Sequence, residues 1–242
     1  MEKSPYTAAV LIIGNEILSG RTLDSNGNYL AKQLVALGIN LEEIRSIPDR
    51  TETIISHINE LRKKVTYVFT TGGIGPTHDD ITSEAVAQAF GVSLICHPEA
   101  YLRLEKHYGK DDLNEARIKM AYVPSGAQLI DNPISAAPGF NLENVYVFAG
   151  VPKIMQAMFD FIKPMLKGGT PVESKTVELM VTEGTIAASL SDIQSQFPDV
   201  EIGSYPFIHQ GKLGTALVAR SNDSTRLNQA HLALMQLATQ CK

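Results

Sequence analysis

The sequence predicts an α/β fold, a doubly wound and mostly parallel sheet followed by a small α+β domain, on three observations. Unbroken apolar runs such as Ala8 to Ile13 fit strands covered on both faces. Between residues 8 and 90 such runs alternate with helically spaced stretches, the pattern of a parallel sheet with right-handed crossovers. The strands end in glycine-rich or acidic loops, at the carboxyl edge where open α/β sheets bind ligands.

Taken in order, Ala8 to Ile13 is the first strand and runs into Gly14-Asn15-Glu16-Ile17-Leu18-Ser19-Gly20. Asp24-Ser25-Asn26 then offers capping side chains to a helix through Tyr29, Leu30, Leu34 and Leu37, stopped by Gly38. Asp24 reads as a cap, while Asn26 either caps or faces a ligand. Asn40 to Ile47 is a second strand ending in Pro48-Asp49-Arg50, and Thr51 to Leu61 has helical spacing. Locally, Asp49 reads as a cap paired with Glu52. Val65 to Phe69 is the third strand, and Ile81 to Phe90 a helix closed by Gly91. Ser93 to Met120 is expected to be helical, with Pro98 and Gly109 bounding one helix and Arg117 and Lys119 adding positive charge. Ala127 to Ile130 and Val145 to Phe148 read as strands, separated by a loop containing Pro138 and Gly139 that suits a ligand wall or a plain connection. Pro152 opens a further helix.

Lys167-Gly168-Gly169-Thr170-Pro171 marks the expected boundary between domains 1–168 and 169–242. Beyond it the order β-α-β-β-α describes a small sandwich. Gly211-Lys212-Leu213-Gly214 has the G-x-x-G spacing of RNA-binding KH modules, but lies between two strands and reads as a hairpin turn.

The segment that concentrates chemistry is Thr70-Thr71-Gly72-Gly73-Ile74-Gly75-Pro76-Thr77-His78-Asp79-Asp80-Ile81-Thr82, which joins strand to helix. Its glycines permit sharp turning and close approach of backbone N–H groups to a phosphate or carboxylate. Asp79 and Asp80 bring negative charge to the same place, compatible with phosphate when a divalent cation lies between. Capping would need only one of the two acids. The loop lacks the lysine of a P-loop and the spacing of a dinucleotide fingerprint.

The 242 residues, 44% of them hydrophobic, suffice for one large or two small domains. With 21 Lys+Arg against 26 Asp+Glu, a net charge of −5 and no basic cluster, neither a nucleic-acid nor a membrane surface is expected. The cysteines are Cys96 and Cys241, which argues against a disulfide framework and for the cytoplasm. The apolar run near the amino terminus is too short for a signal segment, and no stretch approaches the length of a bilayer span.

Read together, these segments resemble the molybdopterin-binding MoaB/Mog-type domain family, in the version at the amino terminus of CinA proteins; a similar domain accompanies eukaryotic FAD synthase. The resemblance rests on Gly14-Asn15-Glu16-Ile17-Leu18 with Gly20, Asp24-Ser25-Asn26, Pro48-Asp49, Thr71 through Thr82, and Asn132-Pro133 through Phe140. Ile202-Gly203-Ser204-Tyr205-Pro206 resembles the small domain that follows in CinA-like chains. The resemblance implies that Asp49 and Asp80 are the functional acids. It places Gly14, Asn15, Asn26, Thr71, Gly72, Gly73, Gly75, Thr77, Pro138 and Gly139 around substrate, with Asp79, Asp80 and Glu16 on a divalent cation, Mg²⁺ first and Mn²⁺ or Co²⁺ as alternatives. It implies a homo-oligomer and two outcomes: metal-dependent hydrolysis of a nucleotide pyrophosphate such as ADP-ribose or FAD, or binding of molybdopterin or a nucleotide without chemistry. Deamidation of nicotinamide mononucleotide belongs to a further domain for which the chain leaves no room, so it is not expected. The sequence departs from the family pattern at Ala149, Ser135 and Ile154, the last standing where the family usually has Glu.

Overall fold

The structure, a computed structural model, describes residues 5–241. Met1 and Lys242, the outer limits of the two expected domains, and the start of the amino-terminal stretch lie outside the described residues. The chain divides after Gly169 into two compact units.

In the larger unit the elements run β1 (Thr7–Ile13), α1 (Asn15–Leu18), α2 (Asn26–Ala36), β2 (Asn40–Ile47), α3 (Thr51–Lys64), β3 (Tyr67–Thr71), α4 (Thr82–Phe90), β4 (Leu94–Cys96), α5 (Pro98–Tyr108), α6 (Glu115–Lys119), β5 (Tyr122–Pro124), β6 (Gln128–Ile130), β7 (Gly139–Leu142), β8 (Val145–Phe148) and α7 (Pro152–Ile162). The main sheet has the order β2-β1-β3-β8-β7-β6; β2, β1, β3 and β8 are parallel, and β7 is antiparallel to both neighbours.

The strictly apolar β1 is buried on both faces because helices cover both. Ala9, Leu11 and Ile13 face the core with α3 and α4, whereas Ala8, Val10 and Ile12 face α2 and α7. On the second face Phe69 stacks on Phe148 of the neighbouring strand at 6.0 Å and 10° between planes, and Phe159 of α7 meets both edge-on. Helix ends follow local chemistry. The Asp24 carboxylate accepts the N–H groups of Asn26 and Gly27, Gly91 takes a left-handed φ of 66° after α4, and Pro152 starts α7.

Two short strands depart from the sequence reading. Leu94–Cys96, expected within a helical region, pairs antiparallel with Tyr122–Pro124, and Gly139–Leu142, expected as loop, joins the main sheet. The first is held by a partner strand distant in sequence and the second by the strands just before and after it, rather than by their own periodicity.

The smaller unit contains β9 (Glu173–Leu179), α8 (Glu183–Gln196), β10 (Glu201–His209), β11 (Lys212–Ser221) and α9 (Ser224–Gln240), with sheet order β10-β11-β9, all antiparallel. Its core is Leu179, Ile186, Val200, Leu217, Leu227 and Leu234 with their neighbours. Gln210 and Gly211 turn the β10–β11 hairpin at positive φ, as the hairpin reading of Gly211-Lys212-Leu213-Gly214 requires.

Candidate functional site

The chain leaves β1, moves out to β2, and returns to β3 on the other side of β1. The sheet's winding therefore reverses between β1 and β3, where a crevice opens at the carboxyl ends of parallel strands. A cleft of about 380 Å³ lies there, lined by Ile13, Glu16, Asp49, the segment Gly72 to Pro76, Asp79 and Asp80. The rest of its lining is Met120, Asn132, Ser135, Ala137, Ala149, Gly150, Val151 and Ile154.

Each lining segment is held by contacts across the fold. Asp49 does not cap α3: its Oδ2 accepts the Asn15 N–H at 2.8 Å, and no side chain caps that helix. Asp80 Oδ2 accepts both the N–H and the hydroxyl of Thr77, at 2.8 and 2.5 Å, which closes the loop into a tight ring. Lys119 Nζ donates to the Thr77 carbonyl, so α6 is tied to the same loop. Although the short Thr77 hydroxyl bond goes to Asp80, that hydroxyl also helps hold the Asp79 carboxyl below its ordinary range, followed by a backbone N–H and by the charges of His78 and Lys119.

The glycines serve packing as well as exposure of N–H groups. At Gly72, with φ of 103°, a Cβ would lie 2.1 Å from the Ile13 carbonyl oxygen; at Gly73, with φ of 70°, one would lie 2.1 Å from Thr82 Oγ1. Thr82 in turn donates its hydroxyl to the Gly72 carbonyl at 3.0 Å. A side chain at either position would push the loop off the end of β1 or off the start of α4.

The expected substrate residues separate into two groups. Gly72, Gly73 and Gly75 line the cleft together with Asp49, Asp79, Asp80 and Glu16. Gly14, Asn15, Asn26, Thr71, Thr77, Pro138 and Gly139 are not among its lining residues. Asn15 and Thr77 hold the acids, and Thr71 is buried inside β3. Asn26, 6% exposed, donates to the Gly150 carbonyl at 2.8 Å and so holds one of the lining residues. Pro138 and Gly139 are buried, and a Cβ on Gly139 would meet the Val147 carbonyl at 2.4 Å. Their small size serves sheet packing.

Asp79, Asp80 and Glu16 line one cleft, yet among the described residues no three His, Cys, Asp or Glu side chains are grouped to hold an ion. Thr77 holds Oδ2 of Asp80 within the loop. His78, next to the two acids in sequence, lines a neighbouring cleft.

The contribution of Asn132 to the wall was not assigned from sequence. It is 3% exposed, accepts the N–H groups of Ile134 and Ser135, and donates to Ser135 Oγ and the Ala137 carbonyl. The Asn-Pro pair within that loop was the available signal.

A doubly wound sheet whose reversal point carries a glycine loop and several carboxylates defines a small-molecule-binding α/β domain. Residues 9–168 match the family described as probable molybdopterin binding domain, and residues 171–241 match the FAD synthase middle domain. The chain belongs to the probable molybdopterin-binding domain family. It is 36% identical over 217 residues to a protein of Aeropyrum pernix, covering 85% of this chain and 81% of that one. A probable FAD synthase of Caenorhabditis briggsae is 30% identical over 260 residues, covering 96% of this chain and 49% of the longer protein. The solved structure of the protein CinA, of unknown function, from Thermoplasma acidophilum has a TM-score of 0.63 and 32% identity, covering 66% of this chain and 96% of that one. No helix among the described residues is long and apolar enough to cross a membrane.

Proposed function

We propose that this cleft hydrolyses the diphosphate link of an ADP-ribose- or FAD-like nucleotide with the help of a divalent cation, Mg²⁺ first and Mn²⁺ or Co²⁺ as alternatives. The observation that carries this reading is that Asp49 and Asp80, supplied by loops after different strands, line one cleft beside the glycine loop. Both use Oδ2 to accept a neighbouring N–H, which sets the direction of the other oxygen.

The donor set suits a cation held by one or two carboxylates, with phosphate oxygens and water completing its shell, as Mg²⁺ commonly is. Asp80, Asp79 and Glu16 are the residues that would hold it. When bound, the cation neutralises charge on the diphosphate and on the departing phosphate. Asp49 orients a water and accepts its proton as the water oxygen attacks one phosphorus. The P–O bond to the bridging oxygen then breaks, leaving AMP and a second monophosphate. The backbone of Gly72 to Gly75 forms the floor on which the diphosphate lies.

A module that binds molybdopterin or a nucleotide without chemistry is the alternative, and the apolar Ile154 in the cleft wall favours it. Incubation with ADP-ribose, FAD and other dinucleotides, each with Mg²⁺, Mn²⁺ or Co²⁺, followed by chromatography for AMP, separates the two. AMP release that Asp80→Asn abolishes supports hydrolysis. Tight pterin binding with no turnover of any pair supports the module. The proposal includes a homo-oligomer, which sedimentation of the purified chain tests.

A further inference from the structure

We propose that the cleft on the other side of the glycine loop is a second subsite, which takes the planar base of a nucleoside diphosphate derivative while the sugar phosphate half occupies the acidic cleft. This assignment rests on the nucleotide reading above and specifies the two ends of the substrate.

The second cleft has a volume of about 610 Å³, within the usual range for small-molecule sites. Ile74, Gly75 and Asp80 line both clefts. The two clefts therefore adjoin at Gly75 and Asp80, where the proposal puts the diphosphate.

The chemistry of the walls determines which end goes where. Glu16, Asp49, Asp79 and Asp80 give the first cleft its charge beside the apolar Ile13, Ile74, Met120, Val151 and Ile154, and what it lacks is any aromatic or basic residue. That environment suits hydroxyl groups and a cation-bridged diphosphate, with no face on which a ring could stack. Ile81, Leu94 and Ile118 give the second cleft an apolar floor, and Tyr122 contributes an aromatic ring that is 39% exposed. Glu84 and Glu115 supply acceptors for an exocyclic amino group. Stacking on a tyrosine with acceptors at the rim is a recurrent way of holding an adenine-like base. The wall is tied to the loop, since Lys119 lines this cleft and donates to the Thr77 carbonyl.

Calorimetric titration of the full chain with AMP, ribose 5-phosphate and a methylene-bridged, non-hydrolysable ADP-ribose tests the assignment. Tyr122→Ala should weaken AMP and the ADP-ribose analogue by a similar factor, about tenfold, the scale of one lost stacking contact. Ribose 5-phosphate should bind as before, and Tyr122→Phe should retain parent affinity for all three. The assignment is overturned if AMP fails to bind the parent, if Tyr122→Ala leaves AMP unaffected, if it weakens ribose 5-phosphate equally, or if Tyr122→Phe loses as much as Tyr122→Ala. Because these readouts need no turnover, absence of AMP release in the hydrolysis assay would remove the catalytic reading while leaving the subsite to stand or fall on its own.

Discussion

The backbone N–H of Asn15 donates to Oδ2 of Asp49 at 2.8 Å, joining the loop after β1 to the loop after β2 across 34 residues of sequence. The contact fixes one oxygen of Asp49, which lines the cleft, and under the proposed hydrolysis the other oxygen meets the water. Asp49→Asn keeps an oxygen that can accept the same N–H but cannot take a proton. Steady-state assays of dinucleotide hydrolysis should find kcat lower by about 10²- to 10⁴-fold with KM little changed. Parent-like kcat would remove Asp49 from the chemistry.

Gly73→Ala should destabilise the larger unit by about 1–3 kcal/mol, because it combines a left-handed backbone with a close approach to Thr82 Oγ1. Gly91 also has positive φ, but a Cβ there meets nothing within 4 Å, so Gly91→Ala carries only the conformational cost of about 1 kcal/mol. Urea midpoints of the two variants measure the difference, and equal shifts would mean that the loop relaxes around the added methyl.

Ile154→Glu places a carboxylate among the residues that line the cleft. If hydrolysis uses a cation with few protein ligands, the variant should reach half-maximal rate at about tenfold less Mg²⁺. Titration of rate against Mg²⁺ at saturating substrate reads this directly; an unchanged midpoint would place the cation away from Ile154.

Glu43 is held at a pKa of about 2, chiefly by its hydrogen bond with Arg45 and next by that with Lys64. Its ordinary value is 4.5, so the folded state binds this proton less readily than the unfolded chain. The stabilisation is complete above that ordinary value and is lost as pH falls toward 2. Surface pairs of this kind contribute about 1 kcal/mol or less. Urea unfolding from pH 6 to pH 2.5 should show a smaller acid loss for Glu43→Gln than for the parent, and parallel curves would assign the acid sensitivity elsewhere.

What local sequence carries was legible. The two-sided burial of Ala8 to Ile13, the stop at Gly91, the start at Pro152 and the hairpin at Gly211 depend on residues next to one another, and so did the doubly wound order built from them. Leu94–Cys96 and Gly139–Leu142 were not legible as strands, since three or four residues hold no period, and the first also has its partner far along the chain.

The same distinction divides the site. The types of side chain near the glycine loop were determined by the sequence itself, because strand, loop and helix start are contiguous. Only the tertiary structure decided that Asp49 meets Asn15 rather than capping its own helix, that Asn26 bonds the Gly150 carbonyl, and that Tyr122 shares a cleft with Asp80. Those outcomes rest on contacts between segments tens of residues apart, whose energies depend on the packed sheet and helices and have no counterpart in the local chain.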